Sequence, residues 1–177
     1  MNTLEVKKPI YKYEVNQEVV YPTHGVGKII EIMERPFKDQ ILVYYNIYIE
    51  VSDMTVMIPV EKADELGIRA IVSPEKIEQA LAILSGEYEP VPSDWKLRYQ
   101  LNMDLVKSGT VEDIATVVKT LYHRSKVKEL PILERKLFDN ALRLLIDEVA
   151  SSLNQRKEAV EEMLYNKMEE CIAEMKL

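Results

Sequence analysis

Residues 41–60 read ILVYYNIYIEVSDMTVMIPV. From Ile41 to Val51 the odd positions Val43, Tyr45, Ile47, Ile49 and Val51 are all apolar, whereas the even positions include Asn46 and Glu50. That alternation lays one face of a strand on a core. The even face is still aromatic through Tyr44 and Tyr48. After Ser52 a second strand, Asp53–Pro59, carries Met54, Val56 and Ile58 on one side. Beyond Pro59 the apolar spacing lengthens from two to nearly four, so strands give way to helices there.

Working outward, the segment from Val15 to Pro59 is rich in Val, Ile and Tyr and punctuated by Gly, Pro and Asn, the pattern of short strands. Some four or five strands in so short a span suit a small curled barrel, which leaves fewer exposed edges than a flat sheet. In the other direction a short helix, Glu61–Leu66, stops at Gly67. Ser73-Pro74 supplies an N-cap and a first-turn proline to a helix with Ile77, Ala80, Leu81 and Leu84 on one stripe. Residues 86–92 break it, and Ser93 is read as the cap of a helix running to about Lys107 and ended by Gly109. Thr110 starts another through Ile114, Val117, Val118 and Leu121, with Asp113 completing a near capping box. Pro131 opens a longer one through Leu137, Ala141, Leu144 and Leu145, and a last helix carries Val160, Leu164, Met168 and Cys171.

The expected fold class is therefore α+β in two domains: a small β barrel over residues 1–66, with 1–12 as an extension, and an all-α domain over 67–177. Strand–helix alternation of the nucleotide-binding kind is absent.

The chain has 177 residues, 47% of them hydrophobic and 30% charged, and a formal net charge of −7. Those proportions belong to a globular chain, and the acidity argues against a protein that grips nucleic acid by bulk charge. The charge is uneven. Residues 1–91 carry 9 Lys and Arg against 15 Asp and Glu, residues 92–143 carry 10 against 7, and residues 144–177 carry 4 against 8. The middle is positive between acidic ends. Two readings fit: solvated helix faces, or a modest basic surface that touches a phosphate backbone at few points. No apolar run is long enough to span a membrane, and no export signal opens the sequence. A single cysteine, Cys171, agrees with a reducing cytoplasm, and two histidines with one cysteine make no zinc set, so neither a metal nor another cofactor is expected.

Trp95 stands near the start of its helix, between Asp94 and Lys96. At 100° per residue Leu97, Leu101 and Leu105 form one stripe and Trp95 lies on the other side with Tyr99 and Val106. If the leucines face the core, Trp95 points away from it, either packed on the barrel or linker or free as a flat wedge beside cations, which minor-groove intercalation requires. His24, in Tyr21-Pro22-Thr23-His24-Gly25-Val26-Gly27, invites a catalytic reading, but no helix follows to cradle phosphate, and a tight turn between strands is the better account. His123 has no carboxylate or thiol partner in sequence, and Cys171 reads as a small core residue.

Val19 to Ile29, Met54 to Val60, Gly67-Ile68-Arg69, Ser93-Asp94-Trp95-Lys96-Leu97-Arg98-Tyr99 and Lys107-Ser108-Gly109-Thr110 together resemble the CarD/CdnL family of bacterial RNA polymerase-binding transcription regulators. The resemblance runs from about Tyr13 to at least Ala150. It implies a Tudor-like (SH3-like) barrel that docks on the polymerase β subunit and a helical domain that contacts promoter DNA weakly, in the minor groove, at the upstream edge of the melted bubble. It further implies a monomeric, non-enzymatic protein acting at ribosomal RNA promoters. By that likeness Trp95 is the wedge, with Lys96, Arg98 and Arg135 on phosphates, while Arg35, beside Phe37, faces polymerase. Met57 stands where some relatives carry a basic residue, so that contact becomes apolar or is lost. Leu97 and Gln100 replace further basic residues, which weakens the phosphate grip. Two rivals stand beside this reading. One is an adaptor of polymerase or of a repair factor that never touches DNA; the other is a phosphate-ester enzyme built on His24, which lacks a second acid or base.

Overall fold

The computed structural model describes residues 11–175. All but the last two residues of the expected 1–12 extension therefore lie outside the described residues. Five antiparallel strands come first: β1 (Glu18–Tyr21), β2 (Gly25–Phe37), β3 (Gln40–Ile49), β4 (Met54–Pro59) and β5 (Arg69–Ala70), in the order β4-β3-β2-β1-β5. The alternation read in β3 holds where it matters: Tyr45, Ile47 and Ile49 are fully buried and pack with Val19, Ile29, Ile58, Ala63 and Ile68. Tyr13 closes this core, donating its hydroxyl to the Ile68 carbonyl at 2.9 Å and lying 5.7 Å from the Tyr45 ring.

Three expectations shift. Val51 is exposed, because β3 ends at Ile49 and the chain turns through a 3-10 segment, Glu50–Ser52, into Asp53 at φ 48°. The helix expected at Glu61–Leu66 is only a 3-10 turn, Val60–Lys62, followed by turns that end at Gly67. The sheet also crosses the expected boundary at residue 66, since Val19 and Val20 of β1 pair with Ala70 and Arg69 of β5. A strand of two residues shows no period for the sequence to reveal.

Five helices follow: α1 (Pro74–Ser85), α2 (Trp95–Ser108), α3 (Val111–Val127), α4 (Ile132–Leu153) and α5 (Lys157–Met175). Ser73 and Thr110 cap α1 and α3 through their side-chain oxygens, but α2 is capped by Asp94, not Ser93, its carboxylate accepting the Lys96 N–H at 2.9 Å. The buried stripes meet in one core around Ile77, Leu84, Val117, Leu121, Leu145, Leu164 and Met168. Cys171 is buried there and donates its thiol to the Gly86 carbonyl at 3.2 Å.

The β1–β2 turn and two glycines join the halves. Pro22, in that turn, lies between Gly67 and Gly109, and a β-carbon on either glycine would stand 3.0 or 3.1 Å from its ring. Both glycines also have φ 75°, so the close approach and the backbone each require the missing side chain. Beside them Arg69 bridges the Gly109 carbonyl and the Glu148 carboxylate.

Candidate functional site

Two exposed surfaces hold the residues singled out in the sequence. The first is the outer face of the β2–β3–β4 ladder. Arg35 pairs with Leu42, Phe37 with Gln40 and Met57 with Asn46. Cross-strand partners point to the same side, and residues two or four apart along a strand share it, so Arg35, Phe37 and Met57 are brought onto one face. Met57 lies about 13 Å along β3 from the Arg35–Leu42 row, four residues at roughly 3.3 Å each. Between them Asn46 donates its amide to Glu31 at 3.3 Å and touches the Met33 sulfur. Every residue from Glu34 to Ile41 is exposed, because the hairpin runs past the end of the barrel core. At its tip the Lys38 ammonium stands 5.5 Å from the Phe37 ring centre.

The second surface is the first turn of α2 with that of α4. Trp95 is 37% exposed, with the Lys96 ammonium 6.0 Å from its ring centre. Of the leucine stripe only Leu105 packs against the core. Leu97 and Leu101 are 51% and 49% exposed, while Arg98, Asn102 and Val106 are buried. Trp95 falls on that inward stripe by angle but stands at its end, where the core no longer covers it. The apolar pattern misled because two of the three buried positions of this helix, Arg98 and Asn102, are polar.

Arg98, expected on a phosphate, is 3% exposed and turned inward. Its Nε and Nη2 donate to the two oxygens of Glu134 at 2.6 and 2.7 Å, and Nη1 donates to the Pro92 carbonyl at 2.7 Å. Glu134 is fully buried. A bidentate pair in which each guanidinium nitrogen donates is what makes such burial tolerable. With its guanidinium so occupied, Arg98 is removed from the expected DNA contacts. Its role is to tie the chain before Trp95, and the first turn of α2, to the first turn of α4. Arg135, the next residue along α4, remains exposed, 3.5 Å from the more exposed Glu129.

The histidines hold no catalytic arrangement. His24 stacks on Tyr21 at 4.3 Å, with Nδ1 3.2 Å from the Pro22 carbonyl and 3.3 Å from the Thr23 hydroxyl. It belongs to the turn that carries Pro22. His123 is buried against Tyr88, their rings 4.9 Å apart and nearly parallel. Burial, and then the neighbouring Lys119, push its pKa below the ordinary histidine value. Among the described residues no group of three or more His, Cys, Asp or Glu could hold a metal, and no helix is long and apolar enough to cross a membrane.

Sequence reasoning missed two carboxylates. Glu134 and Glu148 fall on the same α4 stripe as Leu137, Ala141, Leu144 and Leu145, and both are buried. Their spacing from those residues was the available signal: a charge on an apolar stripe needs a buried partner. Here the partners are Arg98 and Arg69.

An antiparallel sheet followed by helices, with exposed aromatic and cationic residues on each half, defines a β domain followed by an α domain. Comparison with known proteins agrees with this class. Residues 13–72 match the CarD-like/TRCF RID domain, which is Tudor-like, and residues 79–165 match the CarD C-terminal domain. The chain is 34% identical over 137 residues, 77% of its own length and 90% of the relative's, to the "Putative transcription factor YdeB" of Bacillus subtilis (strain 168). The protein belongs to the CarD family. It is a transcription factor of that type, a non-enzymatic regulator.

Proposed function

We propose that the barrel docks on the β subunit of RNA polymerase through Arg35, Phe37 and Met57, and that the helical domain then holds the open promoter complex by setting Trp95 into the minor groove at the upstream edge of the bubble. The protein acts as a monomer, at promoters that include those of ribosomal RNA. Lys96 and Arg135 supply the phosphate contacts. The observation that carries this reading is Trp95 itself, a large aromatic left exposed beside a cation on a helix start that a buried ion pair holds in place. Two cations and a wedge make a weak grip on free DNA. Delivery by the polymerase replaces affinity with high effective concentration, so the weak grip suffices.

The test is the lifetime of the open complex at a ribosomal promoter with Trp95→Ala. A lifetime shortened by about tenfold, equivalent to some 1.4 kcal/mol, with polymerase binding unchanged, supports the wedge; an unchanged lifetime removes it. The net charge of −7 favours a second reading, an adaptor that never meets DNA. A photo-crosslinker at position 95 separates the two, since only the first gives a DNA adduct.

A further inference from the structure

The guanidinium of Arg69 spans the joint between the two domains. The residue sits in β5, at the edge of the sheet, yet its guanidinium reaches the helices. Nε and Nη2 donate to the Gly109 carbonyl at 3.1 and 2.7 Å, Nη1 and Nη2 donate to the Glu148 carboxylate at 2.5 and 2.8 Å, and Nη1 also donates to its neighbour's carbonyl at Ala70, at 3.2 Å. Glu148 is 2% exposed and accepts the Val72 N–H as well, at 3.3 Å. Ser152 on the next turn of α4 donates to the Val72 carbonyl at 2.6 Å, and Ser151 to Glu18 of β1.

Gly109 is the left-handed cap that ends α2, the helix whose other end carries Trp95. Fourteen residues at 1.5 Å each make α2 a rod of about 21 Å, so a tilt of about 10° at Gly109 swings the Trp95 end by some 3.6 Å. That displacement is comparable to the 3.4 Å separation of stacked base pairs. Pro22, pressed between Gly67 and Gly109, blocks rotation at the same joint.

We propose that Arg69 is a positioning residue for Trp95: by holding the α2 cap and Glu148 of α4 in one fork, it fixes the barrel to the pivot of the wedge helix, so that docking the barrel aims the tryptophan. This rests on the function proposed above. Neither a lysine nor an uncharged side chain reproduces it, because both arms of a planar guanidinium are used at once.

The experiment uses the full chain with three measurements on Arg69→Met and Arg69→Lys. Spin labels at Lys62→Cys on the barrel and Gln100→Cys on α2, in a Cys171→Ser background, report the interdomain distance distribution of the free protein. Affinity for the polymerase β subunit and open-complex lifetime complete the set. Arg69→Met is expected to widen the distribution, leave β affinity within about twofold, and shorten the lifetime about threefold or more, as misplacement of a reacting group does; Arg69→Lys falls between. A distribution as narrow as that of the native chain overturns the clamp. A widened one with unchanged lifetime overturns the aiming role. Should Arg69→Met fail to fold, Glu148→Gln, which weakens the same fork from the other side, is read on the same scale. If Trp95→Ala itself leaves the lifetime unchanged, the functional reading has failed and the aiming role falls with it, whereas the distance distribution still decides the clamp.

Discussion

The tip of the β2–β3 hairpin and the first turn of α2 present the same chemistry on different supports. Each offers an aromatic ring with the next residue's ammonium near it, Phe37 with Lys38 at 5.5 Å and Trp95 with Lys96 at 6.0 Å. The hairpin tip is paired by the β2–β3 ladder, and no residue from Glu34 to Ile41 is buried. The α2 turn is held from beneath by Arg98 and Glu134, both buried, and by the Asp94 cap. A ladder that projects beyond its core tolerates bending, which suits a face that adapts to a protein partner. A buried bidentate pair fixes one geometry, which suits the wedge role proposed for Trp95.

The comparison is broken most strongly by removing the buried support. Glu134→Ala strands a buried guanidinium and is expected to destabilise the chain by about 3 to 5 kcal/mol, read by urea denaturation; a loss below about 1 kcal/mol would mean that the pair does not hold the α2 turn. Arg35→Glu at the hairpin is expected to reduce β-subunit affinity by about tenfold, some 1.4 kcal/mol, while leaving folding untouched. Equal recovery of native and variant protein on immobilised β subunit would move the docking face elsewhere. A smaller effect comes from His123. Its folded pKa is depressed, so below the ordinary histidine pKa the unfolded chain binds a proton that the folded chain refuses. Its contribution to stability is therefore lost as pH falls through about 6.5 toward the lower folded value. His123→Phe should flatten that part of the Tm–pH curve, and an identical slope would contradict the assignment. Smallest of all, Phe37→Ala should alter folding stability by no more than about 0.5 kcal/mol, although it sits where docking is expected.

Period-two alternation in β3 located the barrel core at Tyr45, Ile47 and Ile49, and caps at Ser73, Thr110 and Gly109 bounded three helices. These signals are local, so one sequence suffices to read them. What escaped was set by distant partners. Arg98 looked like a surface cation because nothing within α2 announces Glu134, thirty-six residues away. Pro22, Gly67, Arg69 and Gly109 were visible as motifs, but only the fold brings them to one joint. The exposed outer face of the barrel followed from alternation once the register was known, since Arg35 and Met57 share a face only through Leu42 and Asn46 of the strand between them.

The inward turn of Arg98 also bears on ionic strength. Each phosphate neutralised adds roughly −0.9 to the slope of log affinity against log salt. With Arg98 buried, the phosphate contacts proposed above are those of Lys96 and Arg135, which corresponds to a slope of about −2, far shallower than that of a basic repressor. A fourfold rise in salt would weaken such a contact roughly tenfold, against a thousandfold or more for a repressor with six to ten phosphate contacts. On the function proposed above, a slope much steeper than this would mean that cations beyond Lys96 and Arg135 reach the phosphates.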